Sequence, residues 1–384
     1  MQNVDRPKAL KPLMEAATAL NNPILQKAKG NGKKVVGFLY QETPLEIITA
    51  AGAVPYFIRG TGSDGTEYAD AFFRNLACNY VRHTYNQILD DQLDFLDGAV
   101  FYNSCDHARR IYDNWLTVPG NPVYHFIYIP KKRGDLAKAF YREEIEKYIK
   151  ATEEKFGVKI TDEDLRKAIK LHNETRRLQA ELYEMQKGDE VYLKGSELIA
   201  VMMAGISMPL EDYNELLKEL IAELKAQGPQ YKPAIRLLYT GGHADSQEFF
   251  ELLENQGGQI VVDNLGFGSR SSAVLIDEEK APLDAIIDYY FDEMPAATRQ
   301  MHTQDERLDQ LGKLVEDYKV DGVISSRIYM CDMWAFEQYL MRGYLAEKGI
   351  PGLELEVDYV PDSQGQIRTR VQAFVESLKS QKNL

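Results

Sequence analysis

The chain has 384 residues, 44% of them hydrophobic and 27% charged, and 45 Lys and Arg against 59 Asp and Glu leave a net charge of −14. The length allows two domains with self-sufficient cores, the composition is globular, and the acidic balance excludes nucleic acid as the main partner while leaving room for a local basic patch. No apolar run approaches the ~18 residues of a membrane span, and the polar start MQNVDRPKALKPL carries no signal peptide, so the expectation is a cytoplasmic chain with reduced thiols and no disulfide framework.

Residues 1–30 read as an N-terminal helical segment, and residues 31–134 as a first α/β domain. A buried strand covers 34–40. Thr43-Pro44-Leu45-Glu46 opens a helix, with Thr43 and Glu46 as a capping-box pair and Pro in the first turn. Gly52 stops that helix, and 53–58 is the next strand, its Pro55 favouring a sheet edge. An apolar β-type run then opens at Asp97-Gly98 and closes at Cys105-Asp106, with a helix-like stretch to Trp115 beyond.

Residues 135–230 form a helical middle region whose Glu/Lys-rich faces, such as 142–147, are solvated surface. Residues 231–384 repeat the first order as a second α/β domain. A strand covers 234–239, a helix 245–254, Gly257-Gly258 stops it, and 260–263 is a strand. A run from Asp321-Gly322 again closes at Cys331-Asp332. The matching landmarks Val35/Ile235, Gly52/Gly258 and Asp97/Asp321 are what a duplication with insertions leaves. The fold class is therefore α/β, with two doubly wound parallel-sheet domains in pseudo-duplication and helical N-terminal and middle segments.

Cysteine carries the chemical signal. In an open parallel sheet, ligands bind at the carboxyl ends of the strands. Cys105 and Cys331 sit at two such ends, and Cys78 is the third thiol, which points to one site built from both halves. Three thiolates can hold three irons of a [4Fe–4S] cube and leave the fourth iron open. They can also hold zinc, although closely spaced ligand pairs are absent, or act as a catalytic thiol, or simply pack in the interior. His83 and His107 lie a few residues from a cysteine. His107 reads either as a donor beside the cluster or as a helix-start residue. Asp106 and Asp332 read as helix caps, or as carboxylates that would lower a cluster's potential.

The glycine-rich spots match neither a P-loop nor a dinucleotide fingerprint. Gly241-Gly242-His243 follows a strand and precedes a helix, so it either receives an anion or makes a tight turn. No Gly-x-Ser-x-Gly elbow and no His-x-x-x-His pair occurs, and ATP hydrolysis by this chain has no motif to support it.

At the level of blocks, Tyr102-Asn103-Ser104-Cys105-Asp106-His107-Ala108-Arg109-Arg110 followed by Trp115 resembles the Cys-Asp-His-x-Arg block of benzoyl-CoA reductase subunits. Pro44-Leu45-Glu46 with Ala50-Ala51-Gly52-Ala53-Val54-Pro55 resembles a signature of the 2-hydroxyacyl-CoA dehydratase / benzoyl-CoA reductase superfamily. Glu354-Leu355-Glu356-Val357-Asp358-Tyr359 and the stretch 365–374 are similar to its C-terminal end. The likeness covers nearly the whole chain and is of the dehydratase D-component type.

That resemblance implies two flavodoxin-like domains and one [4Fe–4S] cluster held by Cys78, Cys105 and Cys331. It implies a homologous sister subunit with its own cluster, a separate ATP-hydrolysing iron–sulfur activator, and an acyl-CoA substrate reduced to a ketyl radical anion. The reductase branch dearomatises benzoyl-CoA to a cyclic diene; the dehydratase branch expels hydroxyl from an (R)-2-hydroxyacyl-CoA. Cys105-Asp106-His107 with Arg109 points to the reductase. The dehydratase and a non-catalytic cluster carrier are the alternatives.

Overall fold

The computed structural model describes residues 6–74, 76–242, 244–360 and 364–383. In chain order it runs α1 (Leu10–Thr18), α2 (Pro23–Gly30), β1 (Val35–Phe38), α3 (Leu45–Ala50), β2 (Val54–Phe57), α4 (Asn79–Leu89), β3 (Gly98–Tyr102), α5 (Asp106–Trp115) and β4 (Val123–Ile127). The helical middle follows as α6 (Asp135–Phe156), α7 (Asp162–Glu184), α8 (Gly195–Ala204) and α9 (Leu210–Gln227). The second half holds β5 (Arg236–Gly241), α10 (Gln247–Glu254), β6 (Gln259–Asn264), α11 (Pro282–Asp288), α12 (Gln304–Asp317), β7 (Gly322–Ile328), α13 (Asp332–Lys348), β8 (Gly352–Val357) and α14 (Gln364–Gln381).

Both sheets have four parallel strands in the same order, β2-β1-β3-β4 and β6-β5-β7-β8. This is the flavodoxin-like winding, whose switch point falls between the first and third strands. Pro55 lies on β2, an edge strand, where its missing N–H costs no ladder bond.

The Asp-Gly pairs have the same physical role in each half. Asp97 exchanges two bonds with Val35: its N–H donates to the Val35 carbonyl at 2.8 Å and its Oδ2 accepts from the Val35 N–H at 2.9 Å. Asp321 does the same to Arg236, at 2.8 Å in both directions. Each staple joins the first strand of a sheet to the third. The following glycine admits an aromatic ring from a helix: a Cβ on Gly98 would stand 3.1 Å from Phe156, and one on Gly322 would stand 2.7 Å from Phe374. The duplication is therefore structural as well as topological.

The hydrophobic cores cut across the order of the chain. Leu10 and Leu13 of α1 pack in the core of the second sheet with α8 and α9. Ile276, Ile286, Tyr290 and Met294, from the second half, pack in the core of the first.

The expected capping box at Thr43 and Glu46 does not form. Pro44 takes the cap position without a side-chain bond, and Thr43 turns back to the Leu39 carbonyl at 3.1 Å. Glu46 is instead wholly buried, 2.7 Å from Arg176 of α7, and accepts from Tyr290 at 2.8 Å. The helix that begins after Gly242 also starts later than expected, with Ser246 capping α10 through the Phe249 N–H at 3.2 Å.

His172 lies beside this pair, 6% exposed, its Nε2 within 2.9 Å of the Thr49 hydroxyl. Burial holds its pKa down at about 4 against the upward pull of Glu46. The unfolded chain binds a proton there near pH 6.5, which the folded chain refuses until about 4. Stability should therefore fall as pH drops through that window, by up to about 3 kcal/mol from this residue. Denaturant titrations of wild type and His172→Gln should diverge between pH 6.5 and 4. Parallel curves there would refute the assignment.

Candidate functional site

The three cysteines come from three separate segments and occupy the same local position. Cys78 is the N-cap of α4, Cys105 of α5 and Cys331 of α13. Cys105 and Cys331 each stand three residues past the end of a third strand, β3 or β7. The Cys105 Sγ accepts from the Ala108 N–H at 3.4 Å. A helix N-terminus offers unpaired N–H groups and the positive end of the macrodipole, and so favours a sulfur that carries negative charge.

Burial pushes the Cys78 thiol far up, and the neighbouring Cys105 and Cys331 add to that shift. Cys331 is raised by burial, and Cys105 adds to the shift there too. Cys105 thus lies close enough to oppose ionisation of both other thiols. Raised thiols are the opposite of what a nucleophile needs, whereas a bound metal deprotonates such a thiol outright. Among the described residues, no three His, Cys, Asp or Glu side chains are gathered as for a single ion. Thiolates on one zinc would lie about 3.8 Å apart at tetrahedral angles. A cube takes its ligands at separate corners and needs them more widely spaced.

Cys105 and Cys331 open onto a cavity of about 120 Å³ between the ends of the two sheets. A space of that order takes one benzene-sized group. Its walls include Tyr40, Gln41, Gly241, Gly242, Asp245, Phe267, Arg270, Arg299 and Trp334. Two non-glycine residues beside it adopt left-handed backbone, Tyr40 at φ 63° after β1 and Met330 at φ 65° just before Cys331. Conformations of this kind are held only where the surroundings over-determine them. Gly241 and Gly242 are demanded by close approach: a Cβ would meet the Ser326 carbonyl at 2.6 Å and Trp334 at 2.8 Å. His243 of the same motif lies outside the described residues.

Charge around the cavity is organised by arginine. Arg299 is bound to Glu42 and donates to the Tyr102 hydroxyl at 2.9 Å, while Tyr102 also donates to Glu42. Its guanidinium lies 4.6 Å over the Tyr40 ring. Burial pulls the Glu42 pKa up, but Arg299 and Tyr102 hold it below the ordinary value. Lys131 donates to the Asn103 and Ser104 carbonyls, at 2.5 and 2.8 Å, and so fixes the loop that presents Cys105. Burial and Arg299 bring that ammonium down to about 8. Asp245 accepts from the Tyr359 hydroxyl at 2.8 Å, and burial raises its carboxyl.

Of the other residues singled out in the sequence, His107 is the one brought to the thiols: its Nδ1 accepts from the Cys78 N–H at 3.3 Å. His83 is 8% exposed and pairs with Ser63 at 2.9 Å. Asp106 and Asp332 are exposed, each one residue inside its helix, because cysteine holds the cap position itself. Trp334 lines the cavity and Tyr102 is buried beneath it, but Tyr329 is exposed. Sequence reasoning missed Glu42, Lys131, Arg270 and Arg299. Glu42 alone carried a signal, since it follows the carboxyl end of β1.

Two duplicated flavodoxin-like domains with thiols at matching strand ends define a class of α/β proteins, and the comparison with known families makes it specific. The model of the family described as 2-hydroxyglutaryl-CoA dehydratase, D-component, matches residues 41–378, and the chain belongs to that family. It is 26% identical to the (R)-phenyllactyl-CoA dehydratase beta subunit of Clostridium sporogenes, over 92% of this chain and 94% of that one. A benzoyl-CoA reductase subunit of Thauera aromatica is also 26% identical, over 90% and 91%. Lactoyl-CoA dehydratase subunit beta of Anaerotignum propionicum is 28% identical, over 90% and 92%. The chain is thus a dehydratase-family enzyme subunit. Among the described residues no helix is long and apolar enough to cross a membrane.

Proposed function

We propose that this chain is the [4Fe–4S] subunit of an activator-driven acyl-CoA enzyme, with Cys78, Cys105 and Cys331 as the cluster ligands. The observation that carries this reading is that a cysteine holds the N-cap position of each of three helices, and that Cys105 and Cys331, from the two halves, line one cavity. Such a cluster, when bound, supplies low-potential one-electron transfer and an iron left free of protein sulfur. The residues around it have separable tasks. The helix ends favour the negative charge of the thiolates. Lys131 holds the loop before Cys105, and His107 fixes the backbone at Cys78. Trp334 and Phe267 exclude water. Asp245, raised by burial, stands at the cavity wall on the side held by Tyr359.

The partners that fit are a homologous sister subunit, a separate ATP-hydrolysing activator and an acyl-CoA. Tyr329, Phe336 and Tyr339, at 44, 65 and 67% exposed, lie on and just before α13 beside Cys331. They form an apolar face of the kind that another protein covers. The finer reading is reduction of benzoyl-CoA, which rests on Cys105 and His107 of the Cys-Asp-His-x-Arg block. Dehydration of an (R)-2-hydroxyacyl-CoA is the second reading. It is favoured by the names of the phenyllactyl-CoA and lactoyl-CoA relatives.

The test is anaerobic purification with the neighbouring subunit and activator, then assay of iron, sulfide and products. About four iron and four sulfide per chain are expected. A diene from benzoyl-CoA marks the reductase and an enoyl-CoA marks the dehydratase. A cluster without turnover on either makes the chain a carrier only, and a metal-free protein overturns the proposal.

A further inference from the structure

Arg270, in the short turn Ser269–Ser272 after β6, is 7% exposed and lines the cavity with Cys105 and Cys331. Its Nη2 donates to the carbonyls of Pro295 and Ala296, at 3.1 and 2.8 Å. With the Gln41 amide oriented so that its nitrogen reaches the Gly266 carbonyl, the Gln41 oxygen accepts from Arg270 at 2.8 Å. Every one of these partners is neutral, and Arg270 Nε has none among the described residues.

The acids nearby are already engaged. Glu42 is held by Arg299, and Glu337 by Arg307 through two bonds of 2.8 and 2.7 Å. Asp245, the acid on the cavity wall, is drawn on by Arg59. Three guanidinium groups, Arg270, Arg299 and Arg307, therefore share two carboxylates. Arg299 Nε, on the same wall, is likewise unpartnered among the described residues. Burial brings Arg270 down to about 10, so it remains charged at neutral pH. Glu42 and Glu337 offset Arg270 only from a distance; a buried ion with no opposite charge in contact is costly, and a chain that keeps one expects an anion beside it.

We propose that Arg270 is the counter-charge of the iron–sulfur cluster proposed above, and that it favours the reduced cluster over the oxidised one. The inference rests on that reading. Three thiolates outweigh an oxidised cubane core by about one charge, and each added electron adds one more. A fixed guanidinium across the cavity, buried in the protein, stabilises the more negative state more strongly, so it raises the reduction potential. Arg299 contributes less, because Glu42 already answers it.

The experiment is an anaerobic redox titration of the cluster-loaded full-length chain, using a low-potential chemical reductant and the paramagnetic signal of the reduced cluster. Arg270→Gln should keep its iron yet lose at least tenfold in the ratio of reduced to oxidised cluster at a fixed potential. For one electron that is a shift of about 59 mV to lower potential. Arg270→Lys should recover most of it. Unchanged potential in an iron-replete Arg270→Gln overturns the inference and leaves the cluster assignment standing. If Arg270→Gln folds without iron, Arg270→Lys decides: iron at near wild-type potential supports the charge role, and an iron-free lysine variant refutes it.

If Arg270→Gln does not fold, the wild type answers alone. The cluster-free protein should take one bromide at Arg270, seen by anomalous scattering, and cluster loading should expel it. A bromide-free guanidinium overturns the proposal. Wild type that never takes up iron removes the cluster reading itself, a distinct failure.

Discussion

Cys331→Ala should leave a folded chain with far less than the about four iron expected of the loaded protein. The side chain is half-buried at the head of α13 and packs only against the margin of the first core, where the change removes one sulfur. Its effect on stability should be small, because the backbone of the cap is kept and the Cys331 side chain caps nothing. Its effect on cofactor content should be near total, since two thiolates from one half cannot close a three-point site. Cys78→Ala and Cys105→Ala should lose iron alike, although they lie 27 residues apart, but each should cost some stability, because Cys78 packs in the first core and Cys105 caps α5. Iron and sulfide analysis beside a thermal melt reads both quantities. Normal iron in a folded Cys331→Ala would sink the ligand assignment and the joining of the two halves at one site.

Arg176→Ala should cost about 3–5 kcal/mol in denaturant unfolding, the range for removing one partner of a buried pair. Arg176 reaches Glu46 at 2.7 Å and Asn173 at 3.1 Å, and it lies 4.6 Å over the Tyr289 ring. The substitution would strand a wholly buried carboxylate that keeps Tyr290, His172 and a backbone N–H but no cation in contact among the described residues. Arg176→Lys should not restore stability, because an ammonium cannot reproduce the planar fork that meets Glu46 and Asn173 together. The double variant Glu46→Gln with Arg176→Met should recover much of the loss, since an apolar pair of similar volume removes the stranded charge. A loss below about 1 kcal/mol in Arg176→Ala would mean that this pair does not tie α3 to α7.

The two predictions probe different kinds of information. The cysteines were legible because strand ends are local features: an apolar run, an Asp-Gly opening and a Cys-Asp close can be read without knowing any partner. Glu46 was misread for the same reason. Its spacing from Thr43 fits a cap, but Pro44 and the pull of Arg176, 130 residues away, drew it into the interior. Asp106 and Asp332 stood one position from where a cap would be; a cysteine holds each of those positions, and only Cys105 makes a cap bond there.

The first three strands of each half, the doubly wound class, the helical middle and the three thiols were legible in the sequence, because side-chain periodicity and the backbone needs of Asp, Gly and Pro act over a few residues; β4, β8 and α4 were not read from it. Tertiary structure decided which thiols face one cavity, and that Arg270 stands there without a carboxylate while Glu42 serves Arg299. It also placed α1 in the core of the second sheet and residues 276–294 in the core of the first. These outcomes depend on groups tens to hundreds of residues apart. Burial selects such partners by shape and charge once the chain has folded back on itself, and no local pattern encodes that choice.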